Sequence, residues 1–489
     1  MTTASAPPPA HPERRRIHVD GVVQGVGFRP FIYGLAARFA LSGWVLNSSS
    51  GVDIEVQGPA ATLEAFCTAI TAEAPRLARV DRVTVQPLTP VVEEDSFNIR
   101  HSEADDGTSL VSADVATCPA CLAEVLDPAN RRYRYPFTNC TDCGPRYTII
   151  HSMPYDRPAT TMRGFTMCPA CRAEYENPLN RRFRAQPNAC RECGPRAWLE
   201  APPALLERAA GDDAIEQAAS LLRQGYIVAV RGLGGFHLAC DATSEAAVAR
   251  LRARKSRPDK PFAVMVASLK DAEVHCLLND DEWALLGSVA APVVLLYRLP
   301  DSAIAAGVAP SNPMLGLMLP PTPLHHLLLH DAGRPLVMTS GNASDLPIII
   351  DNDEAREKLT GVADAFLLHD RPIHMRCDDA VWWVDRFAGE HDAARQPLRR
   401  SRGDAPYPVR LPWESPLQVL GTGAEMKNTL CLLRDDSAFL SQHIGEIDSL
   451  ESLAYYRAVL DHLCQLFKVT PTVIAHDLHP GYLTTRLAL

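Results

Sequence analysis

Eight cysteines occur in two nearly identical stretches of the sequence, each with the spacing C-x2-C-x18-C-x2-C. Two CxxC pairs at this separation place four thiolates around one tetrahedral zinc ion. A site with four cysteine ligands has no open position for water or substrate, so each zinc is expected to be structural and to stabilise a segment too short to bury a core. The predicted ligands are Cys118, Cys121, Cys140 and Cys143 in the first copy and Cys168, Cys171, Cys190 and Cys193 in the second.

Two other interpretations of this repeat stay open. The cysteines of a secreted module would form disulfides, but the sequence starts without the apolar segment of a signal peptide, which favours metal binding in a reducing cytoplasm. The basic stretches NRRYRY and NRRFR between the cysteine pairs would suit a zinc-ribbon RNA-binding module. The chain has 48 basic and 58 acidic residues and a net charge of −10, which argues against nucleic-acid binding through bulk charge.

A second candidate site is the glycine-rich stretch GVVQGVGFR at residues 21–29, between a predicted strand and a predicted helix. Glycines adopt positive φ readily, which can turn consecutive amides inward at a helix N-terminus to bind a phosphoryl group. Arg29 would add a cation, although a plain tight turn would also explain the glycines. The predicted phosphate-binding loop comprises Gln24, Gly25, Val26, Gly27 and Phe28.

A third candidate site lies in the centre of the sequence. Lys255, Arg257 and Lys260 precede a predicted buried strand, and Ser340 and Asn342 follow another one. Ligands of open α/β sheets bind at strand ends, and cations there suit a nucleoside triphosphate. A solvated basic run is the alternative interpretation. The sequence has no Walker A motif, so phosphoryl transfer by a P-loop is not predicted.

The hydrophobic pattern predicts several domains that position these residues, as expected for 489 residues. A βαββαβ order indicates a ferredoxin-like unit, and short apolar runs alternating with helical stretches indicate an α/β sheet domain. No apolar stretch approaches the roughly 20 residues of a membrane span. The predicted units are a disordered leader at 1–15, the ferredoxin-like unit at 16–103, the tandem four-cysteine region at 104–200, the α/β domain at 205–403, and the incomplete front part of a further domain at 415–489.

The first unit resembles acylphosphatase. Residues 21–29 match that family's motif G-x-V-Q-G-V-G-(F/Y)-R, and Asn47 in GWVLNSSSG matches its catalytic asparagine. The resemblance implies that Arg29 binds the phosphate and that Asn47 orients the attacking water. Catalysis would then rest on positioning and charge stabilisation.

The central domain resembles the YrdC family, which joins ATP to a carbamate-type acid as an acyl-adenylate. The family's K-x-R motif falls on Lys255 and Arg257, and its S-x-N motif on Ser340 and Asn342. The stretches HDRPIHMRCDDAV (369–381) and RRSRG (399–403) extend the resemblance. They add four residues to the predicted nucleotide and carbamate site, namely His374, Arg376, Arg400 and Arg402.

The order of these units, followed by GTGAEMKNT at 421–429 at the start of a Kae-like, actin-fold domain, is similar to the HypF family of carbamoyltransferases, which help to make the cyanide ligands of nickel–iron hydrogenase. The resemblance implies hydrolysis of carbamoyl phosphate and adenylation of the carbamate with ATP and Mg²⁺. In the complete enzyme it implies transfer to the C-terminal cysteine of a HypE-type partner. The doubled cysteine module is then expected to be a zinc-stapled spacer without chemistry of its own.

Some residues depart from this pattern or leave alternatives open. Ala380 replaces the usual serine of DDSV, and Asp404 replaces the usual tyrosine after RRSRG, which puts local nucleotide contacts in doubt. His476 and His479 are expected in a turn and not at a metal, because their i,i+3 spacing in a Pro-Gly loop does not define a chelate. A threonylcarbamoyl-adenylate synthase of tRNA modification is the main alternative function, although it does not explain the acylphosphatase-like unit.

Overall fold

The computed structural model describes residues 12–48, 50–92, 94–100, 110–342, 346–386 and 395–489. Most of the predicted leader and the polar link between the first two units, residues 1–11 and 101–109, lie outside the described residues. In the described ranges, no helix combines the length and the apolar character of a membrane span. The described residues form two mixed α/β units, a small cysteine-rich region between them and a C-terminal three-stranded sheet.

The first unit is a five-stranded sheet with two helices. Its elements are β1 (Glu13–Val22), α1 (Phe28–Arg38), β2 (Ser42–Ser48), β3 (Gly51–Gly58), α2 (Ala60–Ala72), β4 (Arg79–Leu88) and β5 (Phe97–Ile99). The strand order is β4-β1-β3-β2-β5, and β1 pairs antiparallel with both β3 and β4. Ile17, Val19, Ile54 and Val56 are completely buried because alternate residues of a strand face the same side. The predicted ferredoxin-like βαββαβ order is therefore confirmed.

Strand β1 begins earlier than the sequence indicates. It starts at Glu13, so residues 13–15 of the predicted leader belong to the sheet. Arg14 is buried, and its guanidinium is held by Glu55 at 2.7 Å and by Glu94. The basic run ERRR looks solvated in the sequence because these acidic partners are distant in the chain.

The cysteine-rich region contains helices α3 (Pro119–Leu126) and α4 (Pro169–Glu176) and two short 3-10 turns, Arg157–Ala159 and Thr161–Gly164. Each α-helix begins directly after the first cysteine of its copy, because proline suits the first helical position. The Sγ atom of Cys118 also accepts a hydrogen bond from the amide of Cys121 at 3.4 Å. The C-P-A-C sequence therefore builds the same knuckle twice.

The third unit is an eleven-stranded sheet with the order β16-β15-β11-β12-β9-β13-β8-β7-β14-β6, in which β10 pairs with β11 at the side. Its elements are β6 (Ala197–Glu200), α5 (Pro203–Leu206), α6 (Ala214–Arg223), β7 (Val228–Arg231), β8 (Phe236–Asp241), α7 (Glu245–Arg254), β9 (Ala263–Met265), α8 (Leu269–His275), β10 (Cys276–Leu277), α9 (Asp280–Leu286), β11 (Val293–Arg298), a 3-10 turn (Ala306–Val308), β12 (Met314–Met318), α10 (Pro323–Ala332), β13 (Leu336–Ser340), α11 (Asn352–Leu359), β14 (Ala365–His369), β15 (Val381–Val384) and β16 (Arg395–Arg399).

This sheet includes a strand from the predicted cysteine region. Strand β6 pairs antiparallel with β14, with Leu199 opposite Leu367, so the sheet starts before the predicted domain boundary at residue 205. The chain leaves the second cysteine copy at Gly194 and enters the sheet three residues later. The cysteine region is therefore joined to the α/β sheet by a very short connection.

The C-terminal elements are β17 (Val409–Gly421), β18 (Cys431–Leu440), α12 (Leu450–Phe467), β19 (Val473–Ala475) and α13 (Leu483–Ala488). The strand order is β18-β17-β19. Strand β17 contains Pro412 and Pro416, and its pairing with β18 shifts register on both sides of Ser415, because proline cannot donate to a strand ladder. Leu430 and Tyr456 belong to the same buried cluster as Ile17 and Ile54, so this sheet packs into one core with the first unit.

Candidate functional site

The eight cysteines form two compact clusters. Within each cluster the four Sγ atoms lie within 4.8 Å of one another. Pairs of Sγ atoms lie at 3.7 Å in Cys118–Cys140, 3.9 Å in Cys140–Cys143, 3.7 Å in Cys168–Cys190 and 3.8 Å in Cys190–Cys193. Zinc–sulfur bonds of about 2.3 Å in a tetrahedron require Sγ atoms about 3.8 Å apart. Both clusters therefore fit a four-cysteine zinc site, as the spacing predicts.

The basic stretches between the cysteine pairs join the two copies to each other. Arg132 of the first copy donates to Glu174 of the second at 2.9 Å, and Arg131 reaches Cys171 Sγ at 3.0 Å. The equivalent arginines of the second copy make the same contacts to the first copy. Arg182 pairs with Glu124, and Arg181 lies 3.1 Å from Cys121 Sγ. The repeat is thus a pair of interlocked modules, and these arginines serve the interface and not an exposed basic surface.

The predicted phosphate loop forms the turn between β1 and the N-terminus of α1. Gly25 and Gly27 have φ values of 70° and 76°, the left-handed conformation that glycine adopts without strain. Gln24 fixes the loop by donating from Nε2 to the carbonyls of Ser48 and Gly51, at 2.6 and 3.0 Å. The loop therefore lies beside the end of β2, which carries Asn47.

Arg29 and Asn47 line the same small cavity, with about 20 Å³ of space. Arg29 is 8% exposed, and its Nη2 lies 3.5 Å from Asp156 Oδ1. Burial lowers the pKa of Arg29, and Asp156 opposes that shift. Asn47 is 1% exposed, and its Oδ1 has no hydrogen-bond partner among the residues described. A buried cation and an unsatisfied carboxamide oxygen thus share one pocket at a helix N-terminus.

The cysteine region supplies the opposite wall of this cavity, which the sequence analysis missed. Arg146 donates from Nε to the Gly25 carbonyl at 2.7 Å, and the ring of Tyr155 lies so close to Gly25 that an added Cβ would approach it to 3.1 Å. Arg184 and Gln186 also line the pocket. The prediction of a spacer without a part in the chemistry is therefore too simple, because its side chains complete the small cavity.

Arg184 and Arg134 occupy equivalent positions in the two copies, both at φ 54°. Arg134 is held by two carboxylates of the α/β unit, Asp213 at 2.7 Å and Asp331 at 2.6 Å. Arg184 has no carboxylate partner in the described ranges and packs over the ring of Tyr175. One copy thus docks on the sheet, while the other directs the equivalent cation to the small cavity. The repeated R-R-x-R pattern was the available signal for this residue.

A much larger cavity of about 520 Å³ lies in the α/β unit. It brings together five of the predicted residues, and Lys255 is their centre. Lys255 Nζ donates to the Ser340 carbonyl at 2.7 Å and to Asn342 Oδ1 at 2.8 Å. Arg257 Nη2 donates to the Pro261 carbonyl at 2.6 Å, and Lys260 also lies on the wall. The cations at the end of α7 therefore meet the S-x-N turn after β13.

The other four predicted residues lie behind this cavity and do not line it. Arg402 is buried and holds Asp379 at 2.8 Å, and Asp379 also contacts His237 at 2.9 Å. Burial would raise the pKa of Asp379, but Arg402 and His237 hold it well below its usual range. Arg400 donates to backbone carbonyls of the loop that follows it.

His374 and Arg376 are also directed away from the cavity lining. His374 packs edge-on between the rings of His151 and His462, with its Nε2 3.3 Å from His462 Nδ1. Burial lowers the pKa of His374 to about 4. Arg376 donates to the Ile348 carbonyl at 2.9 Å and lies over the Tyr455 ring. These residues sit where the cysteine region, the α/β unit and helix α12 meet.

Other residues on the wall of the large cavity were not predicted. Asp378 faces it and is paired with Arg399 at 2.8 Å. The C-terminal segment closes one side with His443, and burial lowers the pKa of this histidine to about 4, so its ring is neutral at pH 7. The two consecutive aspartates Asp378 and Asp379, close to Arg376 in the sequence, were the signal that could have identified Asp378. No local signal places His443 here, because it arrives from another unit.

The two departures from the family pattern lie outside the lining of the large cavity. Ala380 is fully buried, and its carbonyl accepts from the Val293 amide at 2.8 Å. Asp404 accepts from Trp382 Nε1 at 2.9 Å, and burial raises its pKa to about 6. His476 and His479 lie in the exposed loop after β19.

The four units match four family profiles in the same order along the chain. Residues 15–99 match the profile described as Acylphosphatase. The profile described as HypF finger matches twice, at 117–150 and 167–200. Residues 220–396 match the Sua5, YciO and YrdC profile, described as Telomere recombination, and residues 414–489 match the HypF Kae1-like domain.

Curated relatives extend over nearly the whole chain. Carbamoyltransferase HypF2 of Cupriavidus necator is 49% identical over 97% of this chain and 60% of its own length. Carbamoyltransferase HypF of Synechocystis sp. is 46% identical over 96% of this chain and 60% of its own length. A crystal structure of full-length HypF in the phosphate- and nucleotide-bound form has a TM-score of 0.93 at 44% identity, covering 98% of this chain and 62% of that one. The chain thus spans about three fifths of the length of these relatives.

Proposed function

The chain belongs to the HypF carbamoyltransferase family, and from this premise we propose that it hydrolyses carbamoyl phosphate and joins the released carbamate to ATP as carbamoyl-adenylate. The main support is that one chain contains both a small cationic cavity at a glycine loop and a large cavity lined by cations at sheet ends. The first has room for a phosphoryl group and the second for a nucleotide.

In the small cavity, the amides of the glycine loop and the guanidinium of Arg29 would bind the phosphoryl oxygens. The Asn47 Oδ1 atom would accept a hydrogen bond from a water molecule and direct its oxygen at phosphorus. The new P–O bond forms from water as the P–O bond to the carbamoyl group breaks, giving inorganic phosphate and carbamate. Charge on the phosphoryl oxygens is stabilised by groups that are already in place, so little reorganisation is needed.

In the large cavity, Lys255, Arg257 and Lys260 would bind the triphosphate. The carbamate oxygen would attack the α-phosphorus, and pyrophosphate would leave. Lys255 is held against the S-x-N turn by Ser340 and Asn342, so its ammonium is fixed in advance of ATP binding. Such preorganisation lowers the entropic cost of positioning the nucleotide.

Mg²⁺ and zinc would have different tasks. The carboxylates of Asp378 and Asp379, which each have an oxygen within 4.8 Å of the other, would hold Mg²⁺, a cation that prefers oxygen ligands and when bound neutralises triphosphate charge. The two zinc ions would be structural. The cysteine region they stabilise carries Arg146, Tyr155 and Arg184 into the small cavity, so zinc is expected to support hydrolysis indirectly.

The complete protein is proposed to pass the carbamoyl group from the adenylate to the C-terminal cysteine thiolate of a HypE-type partner. Residues 414–489 match the HypF Kae1-like domain, which supports this assignment. A cytoplasmic location is proposed because eight cysteines arranged as zinc ligands require a reducing compartment.

Two alternative functions have less support. A threonylcarbamoyl-adenylate synthase would not need the acylphosphatase-like unit, which forms a closed pocket with the cysteine region. An RNA-binding zinc ribbon would need exposed basic loops, whereas Arg132 and Arg182 are buried in the interface between the two copies. Both alternatives predict tRNA binding at physiological salt, which a filter-binding assay measures directly.

An ATP–pyrophosphate exchange assay tests the proposed function. Exchange should require carbamoyl phosphate and should not be supported by threonine with bicarbonate. Pyrophosphate exchange with threonine and bicarbonate, or exchange at the same rate without carbamoyl phosphate, would contradict the proposal.

A further inference from the structure

A third cavity, separate from the two proposed reaction sites, lies between the cysteine region and the α/β unit. It has about 20 Å³ of space and is lined by Phe137, Thr138, Arg231, His369 and Arg371, among others. A volume of this size is close to that of the small cavity and is too small for a nucleotide.

Two buried arginines line this cavity, and neither is hydrogen-bonded to a carboxylate of the described residues. Arg371 is 5% exposed, its Nε has no hydrogen-bond partner among the described residues, and its guanidinium lies over the Phe137 ring at 5.2 Å. Arg231 is 6% exposed and donates only to neutral oxygens, namely Asn352 Oδ1 and the carbonyls of Ile350 and His369. Burial lowers the pKa of each arginine to about 10, so both remain charged at pH 7.

The nearest titratable ring, that of His369, is neutral and adds no charge to the cavity. His369 Nε2 donates to the Gly232 carbonyl at 3.2 Å, and Nδ1 has no partner in the part of the chain described. Burial, followed by Arg231 and Arg371, holds the pKa of His369 well below its usual value.

Asp351 and Asp370 offset part of the charge of Arg231, and Asp114 offsets part of that of Arg371. No hydrogen bond joins either guanidinium to a carboxylate in the described residues, so an anion that enters would be stabilised by both cations.

Residues of this cavity contact residues that lead to each proposed reaction site. Pro145 lines it, and the Pro145 carbonyl accepts from Arg146 at 2.9 Å and from Tyr155 at 3.2 Å, two residues of the small cavity. On the other side lies Gly232, where an added Cβ would approach His237 Nδ1 to 3.3 Å. His237 in turn contacts Asp379 on the wall of the large cavity.

We propose that Arg371, assisted by Arg231, forms an internal binding site for a small planar carboxylate-type anion, the chemistry shared by carbamate and bicarbonate. A guanidinium binds such an anion through two parallel hydrogen bonds. The ring of Phe137 and the neutral His369 would keep bulk water away from it. The assignment of carbamate as the natural occupant rests on the proposed function, whereas anion binding itself does not.

Anion binding is tested on the full chain with sodium bicarbonate as the probe. Bicarbonate, compared with chloride at equal ionic strength, should raise the melting temperature of the wild type and of an exposed control, Arg172→Met, but not of Arg371→Met. Without bicarbonate, Arg371→Met should melt no lower than the wild type, because it removes a buried unpaired charge. A melting temperature of Arg371→Met that still rises with bicarbonate would overturn the proposal.

Transit of carbamate is tested by the ratio of AMP formed to phosphate released from carbamoyl phosphate. In Arg371→Met this ratio should fall about tenfold, with partial rescue in Arg371→Lys, since the variant loses a charge-assisted hydrogen bond along the route. A merely structural role would lower both products together and leave the ratio unchanged, which would overturn the proposal. If the wild type releases no phosphate at all, the proposed function fails while the bicarbonate result still stands.

Discussion

The two proposed reaction sites hold their charges in different ways. The small cavity is lined by two units, and Arg29 and the oxygen of Asn47 are buried, with Arg184 half-buried, around about 20 Å³ of space. The large cavity is wider, and its Lys255 is already held by oxygen acceptors of the S-x-N turn. A narrow pocket of buried groups strengthens each electrostatic interaction and is selective for a small anion, whereas a wide preorganised wall suits an extended triphosphate.

The largest effect is expected at Arg29, where one cation serves a closed pocket. Arg29→Ala should lower phosphate release from carbamoyl phosphate on the order of 10³-fold, because phosphoryl charge in a dry site loses its main fixed cation. The matched control is Arg38→Ala, on the exposed side of the same helix. A loss of less than about threefold, below the value of a single hydrogen bond, would mean that Arg29 is structural.

A smaller loss is expected in the wide cavity, where several cations share the triphosphate. Lys260→Ala should lower carbamoyl-phosphate-dependent pyrophosphate exchange on the order of 10²-fold, consistent with removing one phosphate-binding charge. Lys270→Ala, an exposed lysine of α8, is the control and should retain exchange. Loss of phosphate release in Lys260→Ala would show that the two sites are not separate.

Arg184 tests whether the cysteine region takes part in the small cavity. Arg184→Met should raise KM for carbamoyl phosphate about tenfold with a smaller change in kcat, because a wall cation contributes mainly to binding. The exposed Arg191→Met of the same copy is the control. An unchanged KM would indicate that the cysteine region acts only as a spacer.

The smallest effect concerns Asp404, beside the strand that borders the large cavity. Burial raises its pKa to about 6, so the ionised form destabilises the fold. The protonated carboxyl of Asp404 therefore contributes stability that is complete below the ordinary pKa of about 4 and is lost as the pH rises through 6. Asp404→Asn should therefore be more stable than the wild type by about 1 to 3 kcal/mol at pH 8 and equal to it at pH 4.

Thermal melting at several pH values measures this difference, with the exposed Asp301→Asn as the control. A gain of equal size at pH 4 and pH 8 would show that the carboxyl charge is not responsible.

The parts of both sites that follow each other in the sequence were predictable. The glycine loop with Arg29 and the four-cysteine clusters follow from short motifs whose elements fold locally. The contact of Lys255 with Ser340 joins distant parts of the chain and was predictable only through the resemblance to the YrdC family. Residues that arrive from another unit were not predictable, such as Arg184 in the small cavity and His443 in the large one. Their positions depend on how the units dock.

The same limit explains why Arg402 and His374, which were predicted for the nucleotide and carbamate site, do not line the large cavity. Both lie in motifs next to the large cavity, but Arg402 balances the buried Asp379, and His374 packs against two other histidines. A sequence motif indicates the region of the fold in which its residues lie. Which side chains face the cavity is decided by buried charge pairs that a single sequence does not reveal.

The central claim is that carbamate passes from the small cavity to the large one inside the protein. The most direct test supplies carbon-13-labelled carbamoyl phosphate together with an excess of unlabelled ammonium bicarbonate, which forms carbamate in bulk solvent, and measures the labelled fraction of carbamoyl-adenylate by mass spectrometry. Internal transfer predicts that almost all of the adenylate carries the label, whatever the bulk concentration. A labelled fraction that falls in proportion to the unlabelled pool would contradict the account.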